Sequence, residues 1–527
     1  MAENRALGQD VGRLQPPQQL AKDLGWLAVI GLGITSEVGA GIFYLTAQVQ
    51  AEVPGIGPHV PLALIVDALL ATVLALTYWF FSHSIAGAGG EYLFVSRSLG
   101  PQAGFIVHVV SWFGATASMG FLAYTAPSFL SAALMPIASG LGTWLATPMG
   151  TVVAGLIMIW GAWAIHARGV KHVGTLVKVA TAVIAVAAST VIVVGFSHGP
   201  STLAQKLAEH DHLSFAFLNA HAGSSPHWAA FLEALPILYF AYAGLRSTTY
   251  AGGEVRQARK VVSGSVLVVL GLVAILYVTF ALALYHMAPW SVIAGLIATG
   301  HKSLANASAL TGLFLPAWAA ILLSFAVAAI VFKTILPGMM GQSRMLLAFA
   351  EDGLVPQGLK HLSSKKTPVR ALTVGAALAS VVLIQTGLTG TPFGVAASVL
   401  AGAIVHAALG LGLIMMPRMA PGLFAANQSW LAGRPGLRVA LGTLMILIGG
   451  GMGVLVVIPE IANPWYDNPL FEVALFAVIG IALYRNYWQN VQRTQSEQPT
   501  AVNSFPHHKS LKLSNKMPRC DTAETRN

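Results

Sequence analysis

Apolar residues run through this chain in blocks of roughly 20, the length a helix needs to cross the hydrocarbon core of a bilayer. The blocks fall near 26–50, 60–84, 103–134, 148–166, 173–197, 229–252, 261–286, 310–337, 369–388, 393–417, 437–459 and 467–488. They predict an all-α polytopic membrane protein with about 12 transmembrane helices. Two blocks carry polar interruptions. Inside the first, Gly31-Leu32-Gly33-Ile34-Thr35-Ser36-Glu37-Val38-Gly39-Ala40-Gly41 holds four glycines, two hydroxyls and a carboxylate. Each glycine weakens a helix and the charge resists leaving water, so the helix is expected to break there. A second interruption, Phe240-Ala241-Tyr242-Ala243-Gly244-Leu245-Arg246-Ser247-Thr248-Thr249, lies in the sixth block. Unwound backbone at membrane depth is tolerated only where protein or a water-filled cavity satisfies it, so both breaks point to one polar site.

Spans one to five and six to ten each open with an interrupted helix. Because five is odd, the second set enters the membrane from the opposite face, a 5+5 inverted repeat. The repeats are expected at about 26–197 and 229–417, within a transporter domain of 24–490. Two extra helices at about 437–488 are expected to serve packing or dimer contacts, with the oligomeric state left open.

With 527 residues, 55% of them hydrophobic and only 9% charged, the chain is excluded from the soluble globular class. Its net charge of +10 sits in short loops and tails. With the N-terminus inside, the inner loops hold Arg97, Arg168, Lys171, Arg256, Arg259, Lys260, Arg344, Lys360, Lys365, Lys366, Arg370, Arg418, Arg434 and Arg438, and the outer loops only Lys206 and Lys302. That asymmetry places both termini in the cytoplasm of a cell-membrane protein. Residues 1–23 lack the parts of a signal peptide and read as a cytoplasmic leader; 491–527 read as a disordered cytoplasmic tail. No basic stripe with aromatics suggests a nucleic-acid partner.

Cys520 is the lone cysteine. The run Glu209-His210-Asp211-His212 has no i, i+4 histidine pair and reads as solvated loop, so no metal is expected. The segment 288–310 reads as an outer amphipathic or re-entrant piece. His83, His108 and His406 stand singly on separate spans, and no phosphate-cradling motif is present. An enzyme and a cofactor are therefore not expected.

Four stretches in this order and spacing resemble the amino acid–polyamine–organocation (APC) permeases: Gly39-Ala40-Gly41-Ile42-Phe43; Gly89-Gly90-Glu91-Tyr92; Phe240-Ala241-Tyr242-Ala243-Gly244 followed by Gly253-Glu254-Val255; and Gln342-Ser343-Arg344-Met345-Leu346 through Glu351-Asp352-Gly353-Leu354-Val355-Pro356 to Thr367-Pro368. The resemblance covers roughly 24–490. It implies a LeuT-like core with broken helices 1 and 6, and secondary active transport of an amino acid or related amine by alternating access, with a proton as the coupling ion. An amino acid/polyamine exchanger and a nutrient sensor or channel on the same fold stay open as alternatives.

The expected site follows from the two breaks. The outer half of the first span begins near Gly39 and presents free N–H groups to an α-carboxylate. Its inner half, ending near Leu32 to Ile34, and the outer half of the sixth, ending near Phe240 to Tyr242, present carbonyls to an ammonium. The substrate-binding residues are thus Ile34, Thr35, Gly39, Ala40, Gly41, Phe240, Ala241, Tyr242, Gly244 and Arg246. By similarity Phe240 closes over the ligand. The competing reading makes the glycines close helix-packing sites.

By resemblance, Lys178 on the fifth span places its ammonium where sodium-coupled members of this fold hold a cation between helices 1, 5 and 8, and it is expected to exchange a proton. The rival reading has it snorkel to the interface. Glu37 and Arg246 depart from the family pattern. Either they neutralise one another across the breaks, or Arg246 meets an anionic substrate side chain and Glu37 carries a proton. Asp67 and Lys333 are intramembrane charges for which function is the default expectation; local pairing is the alternative for Asp67, and Lys333, with Thr334, is placed to line the inner vestibule near Lys178. Arg344 and Asp352 are expected to brace a cytoplasmic loop.

Overall fold

The computed structural model describes residues 25–497 except 40, 86, 88, 254, 256, 391, 392, 462, 463, 466 and 467. The expected leader and most of the expected tail therefore lie outside the described residues. Among the described residues, twelve helices are long and apolar enough to cross a membrane: Trp26–Glu52, Gly57–Ser82, Pro101–Leu134, Pro148–Ala167, Val179–Ser197, Trp228–Tyr250, Ala258–Met287, Ala317–Glu351, Val369–Thr389, Gly394–Met419, Pro435–Glu460 and Pro469–Gln492. They are called here the first to twelfth spans. The near face is the one on which the first span begins, and the far face is its opposite.

Three elements depart from the hydrophobic pattern. The eighth span does not stop at Pro337 but stays helical to Glu351. One proline removes one N–H, and the buried flanking residues hold the helix on either side of it. The last helix continues to Glu497, beyond the expected start of a disordered tail at 491, because Gln, Arg and Glu are good helix formers on the end of an established helix. The 288–310 segment forms the helices Trp290–Ala298 and Ala307–Gly312, with Val292 to Ile297 buried. It is not an amphipathic surface piece: Gly295 lies so close to the Leu218 carbonyl of the Phe215–Ala220 helix that the two form a packed layer.

The third span is the most enclosed, and it packs along the fourth, eighth, ninth, tenth and twelfth. The eleventh lies along the tenth on a seam of small residues, where a Cβ on Gly442 would come within 2.7 Å of the Gly410 carbonyl. Helices without a hydrophobic drive between them gain packing this way. The first span sits against the sixth, seventh and eighth, so its interruption faces the middle of the molecule.

Candidate functional site

The first span is helical from Trp26 to Glu37, then turns extended at Val38 with ψ 103°, and resumes as a wide π-type turn from Gly41 to Leu45 before the helix Thr46–Glu52. The inner half thus ends at Glu37, some residues later than the expected Leu32 to Ile34. The Thr35 and Ser36 hydroxyls donate back to the Gly31 and Leu32 carbonyls, each at 2.7 Å, and so are engaged with their own helix. Past Glu37 the chain leaves carbonyls without intrahelical partners. The eighth span supplies one: the Lys333 ammonium donates to the Thr35 carbonyl and, at 2.7 Å, to that of Val38. A cation at the C-terminal end of a half-helix meets the negative end of its dipole. Lys333 is buried and has no ion pair among the described residues, so these carbonyls are its partners.

The sixth span breaks differently. Its helix Trp228–Tyr239 contains Pro236, then tightens into a 3₁₀ stretch, Phe240–Arg246, before the turn Ser247–Tyr250. It does not open into extended chain, so most of its carbonyls keep short-range partners. That of Ala241 also accepts the Tyr277 hydroxyl at 3.1 Å.

The glycines bring the two interruptions into contact. A Cβ on Gly41 would stand 2.7 Å from Ala241 Cα, and one on Gly244 would stand 2.6 Å from Glu37 N and the Ser36 carbonyl carbon. At Gly39 the neighbour is Thr334 Oγ1, at 2.5 Å. These are backbone-to-backbone or helix-to-helix approaches. The packing reading of the glycines therefore describes their contacts.

Between the breaks and the third and eighth spans lies a cavity of about 70 Å³. At 10–15 Å³ for each water-sized group it has room for roughly five, the scale of a small zwitterion. Glu37, Gly41, Phe240, Ala241, Gly244 and Arg246 line it. Among the other residues expected to bind substrate, Ile34, Thr35, Gly39 and Tyr242 lie outside its lining, and Ala40 lies outside the described residues. Tyr242 turns toward the second span and donates to the Leu64 carbonyl at 3.1 Å. Phe240 packs edge-on against Phe121, with ring centroids 6.0 Å apart. Tyr44 then touches both Phe121 and Phe129. This aromatic cluster covers the cavity toward the far face.

The charges are not arranged as a pair. Both Glu37 carboxyl oxygens are buried without a hydrogen-bond partner, and no ion pair joins Glu37 to Arg246 among the described residues. Of the two accounts of these residues, the structural pair is not formed. Asp67 likewise has no local partner for either oxygen. Lys178 lies on the helix Val170–Ser197, but its side chain is outside the described residues. At the near face Asp352 receives the Tyr92 hydroxyl and stands 3.8 Å from Arg97, in keeping with its expected bracing role. Arg344 is buried within the extended eighth helix, not on a loop.

Sequence reasoning missed Glu91. It read Gly89-Gly90-Glu91-Tyr92 only as a likeness, yet each residue has a physical task. Gly90 has φ +51° and sits against the Tyr250 ring, which bars a side chain there. Glu91 is buried and receives the Tyr78 hydroxyl. A carboxylate directly after paired glycines, flanked by apolar runs, was the available signal.

Twelve apolar spans around a polar cavity between two interrupted helices define a polytopic membrane permease. Residues 24–483 match the amino acid permease family, and the chain belongs to it. An uncharacterized transporter of Mycobacterium tuberculosis is 26% identical over 388 residues, 72% of this chain and 78% of the relative. The branched-chain amino acid permease BcaP of Lactococcus lactis is 25% identical over 371 residues, 67% of this chain and 73% of its own. A chloroplastic cationic amino acid transporter of Arabidopsis thaliana is 24% identical over 368 residues, 68% of this chain and 59% of its own.

Proposed function

We propose that this permease is a secondary active transporter in the cell membrane, with both termini cytoplasmic, that carries an amino acid by alternating access with a proton. The single observation that carries the reading is the 70 Å³ cavity between the two breaks, with an unpartnered carboxyl group, Glu37, on its wall. The substrate zwitterion lies across it. Its ammonium faces Glu37, and its carboxylate faces the positive dipole end at which the outer half of the first span opens at Gly41. Phe240 and the aromatic cluster behind it shut the far side while the near side exchanges.

A buried carboxyl group on a residue that lines a cavity has a reason to gain and lose a proton as the cavity fills and empties. A bound ammonium favours the charged form, and an apolar surrounding favours the neutral one. Glu37 is therefore proposed as a coupling group. Lys178, on the family resemblance, is proposed as a second. Lys333 is proposed as the tethered cation that holds the first break in shape.

The test is counterflow and pH-gradient-driven uptake of a panel of amino acids by the purified protein in liposomes. Saturable counterflow of an amino acid is expected in the wild type. Lys178→Ala is expected to keep exchange and Glu37→Gln to keep it with weaker substrate affinity, while both lose accumulation driven by the gradient. Undiminished accumulation in either variant removes that residue from the coupling role. No saturable exchange with any amino acid overturns the transport reading.

A further inference from the structure

A second cavity, of about 30 Å³, lies directly behind Phe240, enclosed by the second, sixth, tenth and eleventh spans and the start of the Glu91–Leu99 helix. It shares Phe240, Ala243 and Arg246 with the larger cavity, so these three residues border both. Four polar atoms on its lining residues have no hydrogen-bond partner: Glu91 Oε2, Tyr239 Oη, Ser398 Oγ and His406 Nδ1. All four residues are more than nine-tenths buried. Glu91 is anchored on its other side by the Tyr78 hydroxyl, and the Tyr239 and His406 rings meet edge to face at 5.7 Å. Buried polar groups are ordinarily satisfied. Four orphans on residues lining one small cavity, in rigid helices, mark a site made to exchange hydrogen bonds with something that enters it.

We infer that this chamber is a side-chain subsite and that the substrate is an amino acid with a neutral, hydrogen-bonding side chain, a carboxamide. The inference rests on the reading of the larger cavity as the amino acid site. Its chemistry comes from the charges on the wall. Glu91 brings a carboxylate and Arg246 a guanidinium, the latter without an ion pair among the described residues. A cationic head is drawn to one and repelled by the other, and an anionic head meets the same conflict reversed. An aliphatic head leaves every polar atom unpaired, and a site built to hydrogen-bond rejects such a ligand strongly.

A carboxamide resolves the conflict. Its NH₂ donates to Glu91 Oε2 and to Ser398 Oγ or His406 Nδ1, and its carbonyl accepts from Arg246 or the Tyr239 hydroxyl. At 10–15 Å³ for each water-sized group the chamber of about 30 Å³ has room for roughly two to three, the scale of the three heavy atoms of a carboxamide. A stem of two methylenes passes beside Ala243, where a larger residue would stand in the way.

The experiment is counterflow by the full-length protein in liposomes, with alanine, leucine, glutamine, glutamate and lysine as competing substrates. Alanine is too short to reach the chamber and reports the main cavity alone. Glutamine is expected to compete at least about tenfold more tightly than leucine, glutamate or lysine. Ser398→Ala and His406→Leu are expected to reduce the glutamine-to-alanine preference about tenfold. Alanine exchange without a preference for glutamine in the wild type overturns the subsite and leaves amino acid transport standing. So does a preference that both variants retain, which would make the chamber a site for water alone. Absence of exchange with every amino acid overturns the transport reading, and the subsite with it. The wild-type panel decides the matter even where a variant fails to fold.

Discussion

Replacing Lys333 with methionine is expected to lower transport about a hundredfold while the protein still folds. The methylene stem survives the change, so the packing of the eighth span is largely kept. What disappears is the ammonium that donates to the Thr35 and Val38 carbonyls. Each buried acceptor left without a donor costs about 1–3 kcal/mol, and here there are two. A loss of about 3 kcal/mol in the broken geometry of the first span corresponds to roughly two factors of ten in its population. The molecule then relaxes toward forms in which those carbonyls find other partners, and the cavity is no longer bounded as it is now. Lys333→Arg keeps the charge and the donors and is expected to recover part of the activity. Initial uptake rates in liposomes, read beside size-exclusion profiles, check both variants. Wild-type uptake by Lys333→Met would remove the lysine from the machinery of the break.

The same residue shows how far the sequence was legible. Length and hydropathy carry the twelve spans almost unaided, since a bilayer demands a helix of fixed length and leaves few alternatives. The two interruptions were legible for the same reason: glycine, hydroxyl and charge have no business in a lipid-facing helix. Which side chain answers an opened carbonyl was not legible. Lys178 and Lys333 both stand as lone charges on apolar spans, and only the packing of the eighth span on the first settles that Lys333 reaches Thr35 and Val38. The split role of the hydroxyls was equally hidden. Thr35 and Ser36 look in sequence like ligand groups, but a helix at membrane depth offers its own carbonyls first. Glu91 escaped because its meaning depends on Tyr78 and Arg246 arriving from other spans, a coincidence no local spacing encodes.

Gly244→Ala is expected to abolish transport, and Gly31→Ala to leave it within about twofold of wild type. The two glycines belong to the same pair of interrupted spans and differ in what surrounds them. A methyl group on Gly244 would lie 2.5–2.6 Å from the Ser36 carbonyl and the Glu37 nitrogen, backbone atoms fixed at the end of a half-helix and unable to swing aside. Nothing stands within 4 Å of the same methyl on Gly31. Alanine is the better helix former by about 1 kcal/mol, so a propensity effect alone would make both changes neutral or stabilising. Overpacking costs about 1–3 kcal/mol when side chains can adjust, and more when backbone must move. At Gly244 that cost falls on the contact between the two breaks, and a shift of even a few tenths of an ångström separates Glu37 from the wall it shares with Ala241 and Gly244. Substrate-dependent thermal stabilisation of the detergent-purified variants distinguishes the outcomes. Gly244→Ala should lose stabilisation by any amino acid at concentrations that saturate the wild type, whereas Gly31→Ala should keep it. Equal behaviour of the two would mean that the approach of the sixth span to the end of the first half-helix does not shape the cavity, and that the glycines serve helix flexibility instead.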